Sequence, residues 1–432
     1  MVSLSQLPVE ILFDILGYLV PVYPSPIQTR IETFSLSGLR LPSLLEMYFL
    51  ERQAFTQLSF VSKTWRSVIQ TLAVEVFPVP FSLDLVKLRP ILESYGSHVR
   101  TLSIDAVEMT GGGTQRIAAE QYNEIVHVLT EIAPALFNIH SLQIHGLIKS
   151  KLPTTIFQQF PFLSILHWHS RLCDDTFFNV LVSLTDQLEE LRMDCWSSCG
   201  CKDHPSFRQL MATFPKSFTR LRRVEFYHGF MEAEDIHALL SLGSFGLPMT
   251  LSELKFHRCS NISNPDLIDI LRIPNLDRQL QHLSICLDRR YTYSEGYVHF
   301  ASTFLKVCRW LKDFIYLNPS IPESIFPHIP STLNRLTIAM FPSHWPILCK
   351  EYKPGDLFLL LEQLGHMKLT HLALVYHSTS DMIMMEKMWG KDIAGRIQAK
   401  AEQSGLRITF TECDWHAGGF MKHTPSHDFW RS

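Results

Sequence analysis

Residues 251–271 read LSELKFHRCSNISNPDLIDIL, and two periodicities meet inside that stretch. Leu251, Leu254 and Phe256 are spaced so that Leu254 and Phe256 fall on one face of a strand. Leu267, Ile270 and Leu271 then recur at helical intervals. One short strand and one helix form a unit too small to cover its own apolar face. The strand pattern appears earlier as VRTLSI (99–104), IHSLQI (139–144), LSILHW (163–168), LEELRM (188–193) and LRRVEF (221–226). It continues as LQHLSI (280–285), LKDFIY (311–316), LNRLTI (333–338) and LTHLAL (369–374), with LRITF (406–410) a weaker last copy. Successive copies lie about 31 residues apart on average, with steps of about 22 to 40. Other linkers repeat the helical spacing, as in Ile125, Leu129, Ile132 and Leu136, or Phe177, Val180, Leu181 and Leu184. Stacking such units predicts an α/β solenoid over residues 76–413, with its strands side by side in a curved parallel sheet and helices outside.

The pattern resembles an irregular leucine-rich repeat, and 251–271 is similar to the cysteine-containing subtype, with Cys259 just past the strand. A doubly wound α/β domain is the alternative architecture. No Gly-rich phosphate turn follows any of these strands, and Gly111–Gly113 reads as a flexible loop, so the solenoid is preferred.

Ahead of the repeats, LSQLPVEILFDILGYL (4–19) starts with a proline suited to a first helical turn. It carries Ile11, Leu12, Ile15, Leu16 and Leu19 as a wide apolar stripe. A second helical stretch, roughly 51–72, places Phe55, Leu58, Val61, Trp65, Val68 and Leu72 at the same period. Between the two, an insertion at about 20–50 contains Pro21, Pro24, Pro26 and Pro42 and reads as a loop plus an extra helix around 43–50. Two or three short helices cannot bury this much apolar surface among themselves, which predicts a helix-in-groove interface.

LPVEILFDILGYL followed by LSFVSKTWRSVI resembles the F-box, whose pattern is an LPxEIL start and a later VSKxWR. The resemblance covers about 30 residues within 1–75. It implies a small all-α module in which Leu7, Pro8, Ile11, Leu12, Ile15, Leu16, Leu58, Val61 and Trp65 hold the bundle or dock it on a Skp-type adaptor, and through that on a cullin. The chain would then be the substrate-recognition subunit of a ubiquitin ligase, with its repeats holding a client protein. A non-degradative scaffold or assembly protein is the competing reading.

The 432 residues are 46% apolar and 19% charged with a formal charge of −3, a balance that argues against nucleic acid as a partner. Nine cysteines, an odd and scattered set, predict reduced thiols and a cytoplasmic or nuclear location. No window of about 18 apolar residues predicts a membrane span, and the N-terminus does not read as a signal peptide.

Strand alternation places the residues between the apolar positions on the opposite, client-facing side of the sheet. This predicts exposure for His167 and His169, then for Glu190, Arg192 and Asp194, and for Arg223, Glu225 and Tyr227. Glu253, Lys255 and His257 follow, and then His282 and Ser284. Together they form a mixed-charge, histidine-rich patch proposed to bind the client. Cys195, Cys199, Cys201 and His204 invite a zinc reading, but a C-x3-C-x-C-x2-H spacing fits one tetrahedral ion poorly. Asp174 and Asp175 read as a cap on the helix that follows. Neither a metal, a cofactor nor catalysis by this chain is expected. Met382, Ile383, Met385, Met388 and Trp389 read as core filler, and 414–432 as a cap or tail.

Overall fold

The computed structural model describes residues 8–20, 44–79, 85–105, 107–110, 113–116, 127–145, 154–169, 175–194, 218–227, 250–257, 276–286, 304–317, 328–339, 361, 369–376, 393–414 and 420–421. These form two compact units, Met1–Leu191 and Arg192–Ser432.

The first unit opens with helix α1 (Val9–Gly17), entered from Pro8, whose missing N–H suits a helix start. Helix α2 (Leu44–Gln57) runs into a 3-10 turn at Leu58–Phe60, and α3 (Lys63–Glu75) follows. The expected single helix over 51–72 is thus broken. Ser62 breaks it: the residue is extended, and its hydroxyl accepts the N–H of Trp65 at 3.1 Å, starting α3 as an N-cap. Leu12, Leu16, Phe55, Trp65, Val68 and Ile69 close into one core. Arg52 ties α2 to α3 by donating to the Ala73 carbonyl at 2.9 Å. Replacing Ser62 by Ala removes the only acceptor described for that N–H and is expected to lower unfolding free energy by about 1 kcal/mol. Chemical denaturation read by helical circular dichroism measures this, and an unchanged midpoint would show that the cap is dispensable.

Strand β1 (Val76–Val79) continues directly from α3. Helix α4 (Leu85–Tyr95) and a 3-10 turn at Gly96–His98 lead to β2 (Thr101–Asp105). Strands β3 (Val107–Thr110) and β4 (Gly113–Arg116) form a small antiparallel hairpin at the glycine run that the sequence marks only as a loop. Helix 127–132 passes into a 3-10 turn at Ala133–Leu136 before β5 (Ser141–His145). Gly96 sits where a Cβ would meet the Ala135 carbonyl oxygen at 2.8 Å, so the turn before β2 packs directly on the turn before β5. Another 3-10 turn, Thr154–Gln159, precedes β6 (Ile165–His169), and the helix Asp175–Leu184 precedes β7 (Glu190–Asp194). Strands β1, β2, β5 and β6 pair in parallel, with Leu102 opposite Leu142 and Leu142 opposite Leu166.

In the second unit β8 (Arg223–Tyr227), β9 (Glu253–His257), β10 (His282–Cys286), β11 (Asp313–Leu317), β12 (Arg335–Ala339), β13 (His371–Tyr376) and β14 (Arg407–Asp414) pair in parallel in chain order. Strand β15 (Phe420–Met421) then turns back antiparallel along the end of β14, so this part of the tail pairs. The helix Ile393–Gln403 ends at Gly405, whose φ of 69° is open to glycine, while Leu406 N–H bonds the Ala401 carbonyl.

Strands β5–β7 and β9–β13 are entered in the same way. The N–H groups of Gln281 and His282 both donate to the Ser252 carbonyl, and those of Lys312 and Asp313 to the Gln281 carbonyl. Asn334 and Arg335, then Thr370 and His371, continue the series; His140 and Ser141 begin it in the first unit on the Arg100 carbonyl. The apolar positions of the motif are buried throughout, from Val99, Leu102 and Ile104 to Leu369, Leu372 and Leu374. The fold is therefore α/β, built of parallel strands at the repeat positions, and LRITF belongs to a full strand rather than a weak remnant.

Candidate functional site

The stripe of α1 divides between two faces. Leu12 and Leu16, one turn apart, are fully buried against α2 and α3 with Trp65. Ile11 and Ile15, one residue earlier in each turn, are 43% and 42% exposed. Val9, Tyr18 and Leu19 extend that exposed set, as do Phe60 and Val61 at 79% and 58%. Pro8 is exposed and Leu58 half-buried, while Leu7 lies outside the described residues. Hence Leu12, Leu16 and Trp65 hold the helices together, and Ile11, Ile15 and Val61 remain available to another surface. Large apolar side chains left in the open in this number are costly for a free chain and characteristic of an interaction site.

On the strands, alternation places the side chains correctly but not their exposure. Glu225 and Tyr227 are buried, and so are His257, His167 and Ser284, which corrects the reading of a solvated face. Side chains from adjacent strands explain this for Glu225. Its carboxylate accepts from Lys255 Nζ at 2.8 Å and from the Tyr227 hydroxyl at 2.7 Å. Arg192 Nε stands 3.2 Å away and Arg223 Nε 3.6 Å. Arg223 in turn grips Glu253 with two donors, at 2.6 and 2.9 Å, and Lys255 reaches Glu253 at 3.0 Å. The Tyr227 ring stacks on His257 with centroids 4.7 Å apart. Glu190 and Arg192 are half-buried; His169 and Asp194 close β6 and β7.

Burial pushes the Glu225 carboxyl up, but the charges of Arg192 and Lys255, the Lys255 hydrogen bond and His257 outweigh it and bring the pKa from 4.5 down to about 2. Glu253 is lowered too: burial opposes the change, while Arg223 and Lys255 drive it. A carboxylate with a depressed folded value contributes stability that is fully present above its unfolded pKa and lost as pH falls through the folded one. For Glu225 that window runs from 4.5 down to about 2 and corresponds to about 3 kcal/mol. Urea midpoints should therefore fall between about pH 5 and about pH 2.5, with a shallower fall for Glu225→Gln. Equal slopes in the two proteins would refute the assignment.

The first residues of the strands are partly accessible. Register aligns Arg223, Glu253, His282, Asp313, Arg335, His371 and Arg407 in one row across β8–β14. All are half-buried except Arg407, which is exposed. His282 Nδ1 and Asp313 Oδ2 lie 2.7 Å apart. His371 Nε2 lies 2.7 Å from the Thr409 hydroxyl. Burial lowers the His371 pKa, and Arg335 and Arg407 lower it further, with Asp313 opposing. Asp313, Arg335, His371 and Arg407 were not singled out from sequence. The signal was available, because each occupies the same motif position as Arg223, Glu253 and His282.

The cluster from Cys195 to His204, Cys259, Asp174 and the Met382–Trp389 stripe lie outside the described residues. Among the described residues no group of His, Cys, Asp or Glu is arranged to hold a metal, and no helix is long and apolar enough to cross a membrane. No protein-family model and no curated protein matches the chain.

Proposed function

We propose that this chain is the substrate-recognition subunit of a Skp–cullin–F-box ubiquitin ligase, with an F-box at its N-terminus and an irregular leucine-rich-repeat array behind it. The observation that carries the reading is the division of the LPVEIL and VSKTWR residues. Leu12, Leu16 and Trp65 knit the helices, while Ile11, Ile15, Val61 and Phe60 stay uncovered. A groove on an adaptor would bury those side chains at about 25 cal/mol per Å² of apolar surface.

In this reading the chain acts by proximity. The strand row, with its partly exposed charged residues, holds the client, and the adaptor and cullin bring a loaded conjugating enzyme near. Target lysines then meet the thioester at a raised effective concentration. The experiment is affinity purification of the intact chain and of Ile15→Asp, followed by mass spectrometry. Adaptor and cullin recovered only with the intact chain, together with a client that accumulates when the protein is deleted, support the receptor. Adaptor recovered with no cullin and no accumulating client would point to the scaffold.

A further inference from the structure

Along the row of first strand residues, acid and base neighbour one another over four strands and then stop doing so. Arg223 holds Glu253 through two donors, and His282 pairs with Asp313. The next three positions, Arg335, His371 and Arg407, are all basic. Among the described residues neither Arg335 nor Arg407 has an ion-pair partner, and the neighbouring acid, Asp313, is already bonded to His282. Arg335 Nε is shielded from solvent and has no acceptor in reach among the described residues. Two residues along the same strand, and so on the same face, the Thr337 hydroxyl is likewise shielded and unpartnered. A buried donor left unmade is costly, and two beside an unmatched cationic pair mark a place where an acceptor is missing.

We propose that Arg335, His371 and Arg407 form a binding site for an acidic segment of a partner protein, whose side-chain carboxylate takes the place of the absent acid in the row. Adjacent strands lie about 4.8 Å apart, so the two arginine backbones stand about 10 Å apart with His371 between them. Two long side chains converge easily on one anion across that span. A planar guanidinium pairs bidentately with a carboxylate, and the Arg223–Glu253 pair shows this same face already using that contact. Burial is the main cause of the lowered His371 pKa, and the charges of Arg335 and Arg407 lower it further, with Asp313 opposing. The site deepens the receptor reading by naming the chemistry of the client, and so rests on it for its biological role. Binding itself needs no adaptor, so the two fail separately.

The test is fluorescence anisotropy of the full chain with fluorescein-labelled tetraglutamate, tetraglutamine and tetraphosphoserine peptides. Saturable binding of tetraglutamate is expected, about tenfold weaker for tetraglutamine and about tenfold weaker in either Arg335→Gln or Arg407→Gln. Arg278→Gln, at an exposed site on another element, should leave binding unchanged. Because Arg407 is exposed, its variant tests the site even if Arg335→Gln fails to fold. The proposal is overturned if tetraglutamine binds equally well, if Arg278→Gln weakens binding as much as Arg407→Gln, or if only tetraphosphoserine binds.

Discussion

Ile15→Asp is expected to end adaptor co-purification while leaving the helices folded, whereas Leu12→Asp is expected to unfold the helical module. The two residues sit within one turn of α1 and differ in what covers them. Ile15 is 42% exposed, so a carboxylate there stays hydrated in the free chain and costs the fold little. In a filled apolar groove the same carboxylate would lose its water with no partner, and the isoleucine contact would go as well. Together these amount to at least about 3 kcal/mol, or more than a hundredfold in affinity. Leu12 is fully buried among Leu16, Phe55, Trp65, Val68 and Ile69. An aspartate there costs about 4 kcal/mol or more, comparable with the whole stability of a helical module this small. Pull-down with a Skp-type adaptor, paired with circular dichroism on both variants, separates the outcomes. Ile15→Asp that is folded and still binds would sink the docking assignment. Val61→Asp, at a 58% exposed site, should behave as Ile15→Asp does.

The second large effect belongs to Glu225. Replacing it with leucine leaves Arg192 and Lys255, with side chains 29% and 22% exposed, facing each other across an apolar group. Removing one partner of a buried ionic network costs about 3 to 5 kcal/mol, because the remaining charges stay desolvated. For a unit of this size that corresponds to a fall in Tm of about 10 °C, measurable by calorimetry. Adding Lys255→Met to Glu225→Leu should recover part of the loss, since it removes a stranded charge. A single variant within about 2 °C of the parent would mean that water reaches the network and that the carboxylate is not holding the strands together.

The repeat is legible because its signal is local. In LQHLSI the residues Leu280, Leu283 and Ile285 announce a strand and its buried side by spacing alone, and all three are buried. The break at Ser62 follows from capping chemistry readable in SKTW, yet the continuous apolar period across it reads as one helix. The charged row is legible in the same way, since Asp313, Arg335 and His371 hold the motif position of Glu253 and His282, but only strand pairing sets these residues side by side.

Spacing along the chain thus settled where the strands run and which side chains point toward the core, since both depend on neighbours a few residues away. Whether Glu225 meets water depends on Lys255, thirty residues on, and on Arg192. Likewise, which half of the α1 stripe is covered depends on Phe55, Trp65 and Ile69 arriving from other helices. Burial is a property of what packs on a side chain, and for these residues the packing partners come from distant parts of the sequence.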